Sequence, residues 1–308
     1  MHLHSSRFWL LALCLSLGLA LAGCGSSDSP TSPTPPGPTP TPTPGPIGSA
    51  TLVGAGDIAR CDIPGGAEAT SRLLDAIGGT VMAVGDLAYM NGTEQEFREC
   101  YGPTWGRHRS RTRPIPGNHD YETPGASAYY AYFGTSAGRA GEGYYSYVLG
   151  AWLVIALNSN VPTSSGSPQY EWLRAELAAN TRRCVAAYVH HPLYSSSENG
   201  PSAHVRPLWQ LLYDAGAELV VSGHDHVYER FSPLDPNGRV DLTRGVRQFV
   251  AGTGGAPLYR FVRSQPGTEV QLAAWGVVRF TLADGRYDWE FVPVAGESAR
   301  DRGSDVCH

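Results

Sequence analysis

From Thr51 onward one pattern recurs: a short, unbroken apolar run, then a glycine or a strand end, then a residue able to carry charge or hold a cation. Thr51–Gly56 leads to Asp57, Val81–Val84 to Gly85-Asp86, Val185–Val189 to His190, and Leu219–Val221 to Ser222-Gly223-His224. Runs this short and this apolar predict strands buried on both faces, as in a parallel sheet. Helical spacing fills the intervals. Ala69, Leu73 and Ile77 recur every four residues and Gly78-Gly79 stops them; Gln95–Cys100 is a short helix. Pro168–Ala179 turns Trp172, Leu173 and Leu177 inward, and Pro207 opens a helix through Leu208, Leu211 and Leu212 that Gly216 closes. Strand, helix, strand at this spacing predicts an α/β fold. Tyr144–Leu149 and Trp152–Leu157, across Gly150-Ala151, predict a hairpin, and Arg247–Ala251, Val277–Leu282 and Tyr287–Val292 predict antiparallel strands.

The first 48 residues carry no such pattern. Arg7 precedes an apolar stretch, Phe8–Ala22, that ends in Leu21-Ala22-Gly23-Cys24. A positive start, a short apolar run and small residues before the cut describe a secretory signal. The stretch falls short of the about 20 residues a membrane span needs. Leu-Ala-Gly-Cys resembles the bacterial lipoprotein signal, which implies that residues 1–23 are removed and that Cys24 is lipidated. After Cys24, residues 25–48 run as Gly and Ser and then alternate Thr and Pro, a composition that cannot pack and that extends by about 3.1 Å per residue. Residues 49–308 are the globular domain.

Charge excludes one class of partner. The net charge is −5, all 23 basic residues are arginine, and nucleic acid is not an expected ligand. Arg107, Arg109, Arg111 and Arg113 alternate, so an extended segment would put all four on one face. With Cys14 in the signal and Cys24 lipidated, four cysteines remain, and three pairings are open. Cys61 and Cys100 each follow a strand that ends in a candidate ligand, whereas Cys184 begins a strand and Cys307 is nearly terminal. Those placements favour Cys61–Cys100 and Cys184–Cys307. No Cys-x-x-Cys spacing suggests a thiolate metal site.

The residues after the strands share one chemistry. Asp57, Asp86, Asn118, His190, His224 and His226 are oxygen and imidazole donors, and Gly56, Gly85, Gly117 and Gly223 each precede one by a single residue. His224 and His226, two apart, can face the same way. Such an inventory suits two cations about 3.5–4 Å apart, which neutralise phosphate oxygens and generate a nucleophile near neutral pH. Each motif alone is common. Their succession, each behind a strand at the edge where α/β sheets place sites, is not.

In that order, over roughly residues 50–300, the motifs resemble the calcineurin-like metallophosphoesterase superfamily. The resemblance implies a four-layer α-β-β-α sandwich of two mixed sheets flanked by helices. Most members carry Asp-x-His at the first motif, where this chain has Asp57-Ile58-Ala59. Gly85-Asp86-Leu87-Ala88-Tyr89 instead matches the purple acid phosphatase branch, as does His224-x-His226-x-Tyr228-Glu229-Arg230. The resemblance implies one metal on Asp57, Asp86, Tyr89 and His226 and another on Asp86, Asn118, His190 and His224, with Asp86 bridging. A tyrosinate ligand implies Fe(III) beside it, with Zn(II), Mn(II) or Fe(II) as the second metal. His119 would bind phosphate or protonate the leaving group, while metal-bound hydroxide attacks phosphorus. His191 would point away from His190 on a strand, and His108 and His308 would be surface residues. That branch usually has another histidine in the loop after the His190-type ligand. Ser195–Gly200 has none, and His204 would serve only if the loop folds inward.

The expected activity is hydrolysis of phosphate monoesters by an exported, lipid-anchored enzyme of the cell envelope, contacting membrane only through its N-terminal lipid. Two rivals remain open: a phosphodiesterase or phospholipase-like hydrolase on the same site, and a surface lipoprotein that keeps the fold without turnover.

Overall fold

The apolar runs form strands, and their carboxyl ends meet along one edge of the molecule. The computed structural model describes residues 48–308; the expected signal peptide, Cys24 and nearly all of the Pro-rich segment lie outside them. The chain begins β1 (Ala50–Ala55), β2 (Ala59–Arg60), α1 (Gly65–Ala76), β3 (Thr80–Val84), β4 (Ala88–Tyr89), α2 (Glu94–Glu96), β5 (Thr112–Ile115) and α3 (Ser127–Phe133). It continues through β6 (Tyr145–Leu149), β7 (Trp152–Leu157), α4 (Pro168–Ala179), β8 (Cys184–Val189), α5 (Arg206–Asp214) and β9 (Leu219–Ser222). The last part is all strand: β10 (Tyr228–Leu234), β11 (Val246–Ala251), β12 (Thr268–Leu272), β13 (Gly276–Ala283), β14 (Arg286–Pro293) and β15 (Asp301–Val306).

Two mixed sheets result. One has the order β15-β14-β13-β1-β3-β5 and the other β12-β10-β11-β9-β8-β7-β6, while β2 and β4 form a small parallel pair. In the first, β1, β3 and β5 are parallel; in the second, β7, β8, β9 and β11 are. Leu52, Met82 and Val84 of the first sheet pack between the sheets against Val154, Ala186 and Val221 of the second. On the outer face of the first sheet, Val53 and Val81 meet α1 and the aromatic cluster of Phe97, Tyr101 and Tyr129. On the outer face of the second, Ile155 and Val220 meet Leu173 of α4 and Leu208 and Leu212 of α5. Helix, sheet, sheet, helix is the four-layer sandwich.

Three expectations change. α1 buries Gly66, Ala67, Thr70, Ser71 and Leu74, not the Ala69-Leu73-Ile77 stripe. The reason is polar: Thr70 Oγ1 donates to Gly254 O and accepts from Trp105 Nε1 at 2.9 Å, so the helix turns that face inward. The arginine series does not share a face, because residues 105–111 coil as a 3-10 helix. Arg107 reaches Asp75, Arg109 lies over Tyr132, Arg111 caps Leu74 O and Gly79 O, and Arg113 lies over Tyr147. Third, β11 is antiparallel to β10 but parallel to β9, which ties the C-terminal strands into the second sheet.

Cys61 is bonded to Cys100 and Cys184 to Cys307, with Cα separations of 5.1 and 5.5 Å. The second bond fastens the segment after β15. Beside it the buried Glu218 accepts from the His308 backbone N–H at 3.0 Å. Thiol titration of native protein starting near Ser49 should therefore detect no free thiol, and reduction should cost about 2–4 kcal/mol of stability per bridge.

Burial raises the Glu218 carboxyl to about 7, against the lowering effect of the His308 N–H. A carboxyl raised on folding contributes stability that is full below its unfolded pKa and is lost as pH rises through the folded value. Melting temperature should consequently fall as pH rises from about 4.5 to about 7, the span between those two values, and Glu218→Gln should flatten that limb.

Candidate metal centre

Five strand ends deliver the donors: β1 leads to Asp57, β3 to Asp86, β5 to Asn118, β8 to His190 and β9 to His224 and His226. The approach is tight enough to dictate glycine. A Cβ on Gly117 would stand 2.1 Å from Asp86 Oδ1 and 2.3 Å from its backbone nitrogen, and Gly85 has φ +79° against the His190 ring. Asp57, Asp86 and His224 themselves take positive φ of 60°, 52° and 68°. For residues with a Cβ this conformation costs about 1–3 kcal/mol and persists only where the surroundings impose it.

The surroundings impose it through the two aspartates. Asp57 is 0% and Asp86 1% exposed, so each charge must be met inside the protein. Each uses one oxygen to fasten a distant motif: Asp57 Oδ2 accepts from His224 N and Asp86 Oδ1 from His119 N, both at 2.8 Å. The other oxygens face the centre. Tyr89 Oη lies 2.9 Å from Asp57 Oδ1, 3.2 Å from Asp86 Oδ2 and 3.0 Å from His226 Nε2. His226 Nε2 is 3.3 Å from Asp57 Oδ1. On the other side His190 Nε2 is 3.3 Å from Asp86 Oδ2 and 3.2 Å from Asn118 Oδ1, and ligand atoms of Asp86, His190 and His224 lie within 4.8 Å of one another.

Two groups of four donors therefore share Asp86. Whether cations fit can be judged from Tyr89. Its hydroxyl has one proton and three neighbours that would each accept it, two of them carboxylates. Burial, then Asp57 and Asp86, push the phenol well above its usual pKa. A cation removes this surplus of acceptors; packing alone does not. The histidines are oriented to match. His190 Nδ1 lies 2.9 Å from Val84 O and His226 Nδ1 2.7 Å from Pro257 O, so each donates there and turns Nε2 toward the centre. Burial lowers His190, but Asp86 and then Asp57 outweigh it and raise the ring to about 9; the same pairing holds Asp86 below the usual carboxylate range despite its burial.

Every donor read from the sequence thus lies at this centre. His119 does too, its ring centroid 4.6 Å from that of Tyr89 and its Nδ1 2.7 Å from Met90 O. Ala59 pairs in β2 with Ala88 of β4, one register step from Tyr89. His191 does not point away, as its ring turns back to 4.3 Å from His224. His204 lies beyond it, 5.0 Å from the His191 ring, and its Nε2 donates to Ser159 O at 3.2 Å, outside the two donor groups. His308 is exposed, as expected, and faces Glu218 at 3.2 Å, whereas His108 is half-buried and faces Asp75 at 3.1 Å.

Sequence reasoning missed the residues that brace the centre. Tyr259 stacks on His226 at 3.9 Å and 13°. Asp120, pushed up to about 7 by burial and then by Asp86, accepts from Gly117 N at 2.8 Å and Leu87 N at 3.2 Å. Asp225, between the two histidines, accepts from Asn199 N and Gly200 N at 2.9 and 3.1 Å. Glu229 accepts from Ser196 N, Thr268 Oγ1 and Gln271 Nε2. The last two hold the loop after His190 against the motif that follows β9. Their burial inside the closing motif, between the histidines for Asp225 and after Tyr228 for Glu229, is not announced by the local sequence.

Known proteins show the same arrangement of chain. Relatives include an uncharacterised protein of Mycobacterium tuberculosis, 31% identical over 60% of this chain and 44% of its own length. Purple acid phosphatase 21 of Arabidopsis thaliana is 28% identical over 82% of this chain and 64% of its own. Among solved structures, a purple acid phosphatase from yellow lupin seeds superposes with a TM-score of 0.68 at 20% identity, covering 86% of this chain and 55% of that one. The chain thus spans about half the length of several relatives it matches. The sequence profile described as calcineurin-like phosphoesterase matches residues 51–228, more than half of the chain and all of the donor motifs, and this chain belongs to that family.

Proposed function

We propose that the chain is a metal-dependent phosphoester hydrolase of the purple acid phosphatase type, acting on monoesters. The observation that carries this reading is the position of Tyr89, whose hydroxyl stands within hydrogen-bond distance of Asp57, Asp86 and His226 at once. Asp57, Asp86, Tyr89 and His226 would hold one cation, most suitably Fe(III), and Asp86, Asn118, His190 and His224 a second, Zn(II), Mn(II) or Fe(II). When bound, such a pair supplies neutralisation of the phosphate oxygens and a water acidic enough to deprotonate near neutral pH.

The chain's own residues do the rest. Asp57 and Asp86 fix the backbones of His224 and His119 and so set the spacing of the donors. Val84 O and Pro257 O hold the two imidazoles in the tautomer that exposes Nε2. With Nδ1 donating to Met90 O, His119 meets substrate through Nε2, from which its imidazolium form would deliver a proton to a departing alkoxide. The two disulfides and the signal-like start support export to the cell envelope, with lipid on Cys24 as the anchor.

Visible absorption with elemental analysis tests the assignment. Native protein should show a broad visible band with iron and a second metal, and Tyr89→Phe should lose the band while keeping its fold by circular dichroism. A coloured Tyr89→Phe variant would refute the tyrosinate. For His119→Ala, turnover of an aryl phosphate should fall roughly 10²–10⁴-fold with metal content unchanged. Faster turnover of a bis-aryl phosphate than of the monoester would replace the monoesterase reading with a diesterase one.

A further inference from the structure

A sixth strand end also reaches the centre. β7 runs beside β8 and ends in Asn158-Ser159-Asn160, and Ser159 is 5% exposed. Its hydroxyl meets His191 twice: Oγ accepts from the His191 backbone N–H at 3.2 Å and lies 2.7 Å from Nδ1 of the ring. No other described residue offers Oγ an acceptor, so its single proton goes to Nδ1. The neutral ring must then carry its own proton on Nε2. That nitrogen has no hydrogen-bond partner among the described residues, although the ring is only 4.3 Å from His224 and 5.1 Å from His190. His204, 5.0 Å away, donates to Ser159 O and so holds the same loop from behind.

We infer that His191, its tautomer set by Ser159, is a substrate-binding residue that donates Nε2–H to a phosphate oxygen on the His224 side of the site, as His119 stands on the Tyr89 side. The inference rests on the hydrolase reading above. A ring used only for packing would not need a buried hydroxyl on one nitrogen and a bare donor on the other. The position also answers the missing histidine in Ser195–Gly200: the donor comes from the residue next to His190 rather than from the loop beyond it. Sequence pattern places it, since Trp152–Leu157 is an apolar run ending in polar residues like the runs that deliver the ligands.

The test is calorimetric titration of the full, metal-loaded chain with inorganic phosphate, alongside elemental analysis. His191→Ala should weaken phosphate binding roughly tenfold to a hundredfold, the worth of one hydrogen bond to a charged group, with both metals retained. His191→Gln, which keeps an N–H donor, should recover most of that loss. Ser159→Ala should show a smaller loss than His191→Ala, because the ring keeps its donor but not its fixed tautomer. Unchanged phosphate affinity in a metal-replete His191→Ala variant would overturn the inference, as would a loss of metal, which would make the residue part of the metal-holding frame. Native protein that takes up no metal would instead overturn the hydrolase reading itself, before any variant is compared.

Discussion

Two carboxylates lie out of water where the two sheets meet, and the rest of the site follows from how their charges are met. Asp57 and Asp86 cannot be left unpaired in such a place, because an isolated buried carboxylate costs far more than a fold's margin of stability. Each therefore divides its oxygens. One takes a backbone N–H from a motif far away in sequence, His224 for Asp57 and His119 for Asp86, and the other faces the centre. The division draws the first motif to the last and the second to the third. It also accounts for the left-handed backbone at Asp57, Asp86 and His224: a carboxylate with an N–H to hold sets the chain direction, and the conformation follows.

A second tier of buried charge keeps that arrangement from relaxing. Glu229 and Asp225 both sit beside the donors without entering the centre, and each accepts backbone N–H groups from residues 196–200. Arg230 and Tyr228, on the same strand, meet Asp301 of β15 at 2.7 Å. The run Tyr228-Glu229-Arg230 thus ties the centre in two directions, to the loop after β8 and to the C-terminal strands. Removing one partner from such a network leaves the other buried and unsatisfied, which is why these residues bear on the geometry of a site they never touch.

The legible part of the sequence was the part in which one physical demand dominates. β3, β7, β8 and β9 are apolar on both faces because they are covered on both, so their runs stand out, and the residues after β3, β8 and β9 mark the site. β10 was not read as a strand because Glu229 and Arg230 interrupt its apolar pattern, and their partners, Ser196, Thr268 and Asp301, come from elsewhere in the chain. The arginines of residues 107–113 misled for the same reason. Alternation implies one face only if the backbone is extended, and tertiary contacts to Asp75, Leu74 and Tyr132 favour a coil that spacing alone does not reveal. α1 shows the limit from the other side, since Thr70 turns inward for two hydrogen bonds that no apolar stripe could announce.

Ala59 and Tyr89 stand on two short strands that pair beside the centre. β2 and β4 run parallel, with Ala59 opposite Ala88 and Arg60 opposite Tyr89, so the two motifs travel side by side past the centre. A donor removed from one strand can be replaced from the other at nearly the same place, provided the replacement is long enough to reach across. Tyrosine is; its hydroxyl arrives among Asp57, Asp86 and His226 while its ring stays buried between His119 and the strand pair. The frame of carboxylate and backbone hydrogen bonds is built from Asp57 and Asp86 and leaves Tyr89 free to be judged as a donor on its own. A site constructed in this way separates the residues that set its geometry from the one side chain that reaches across it.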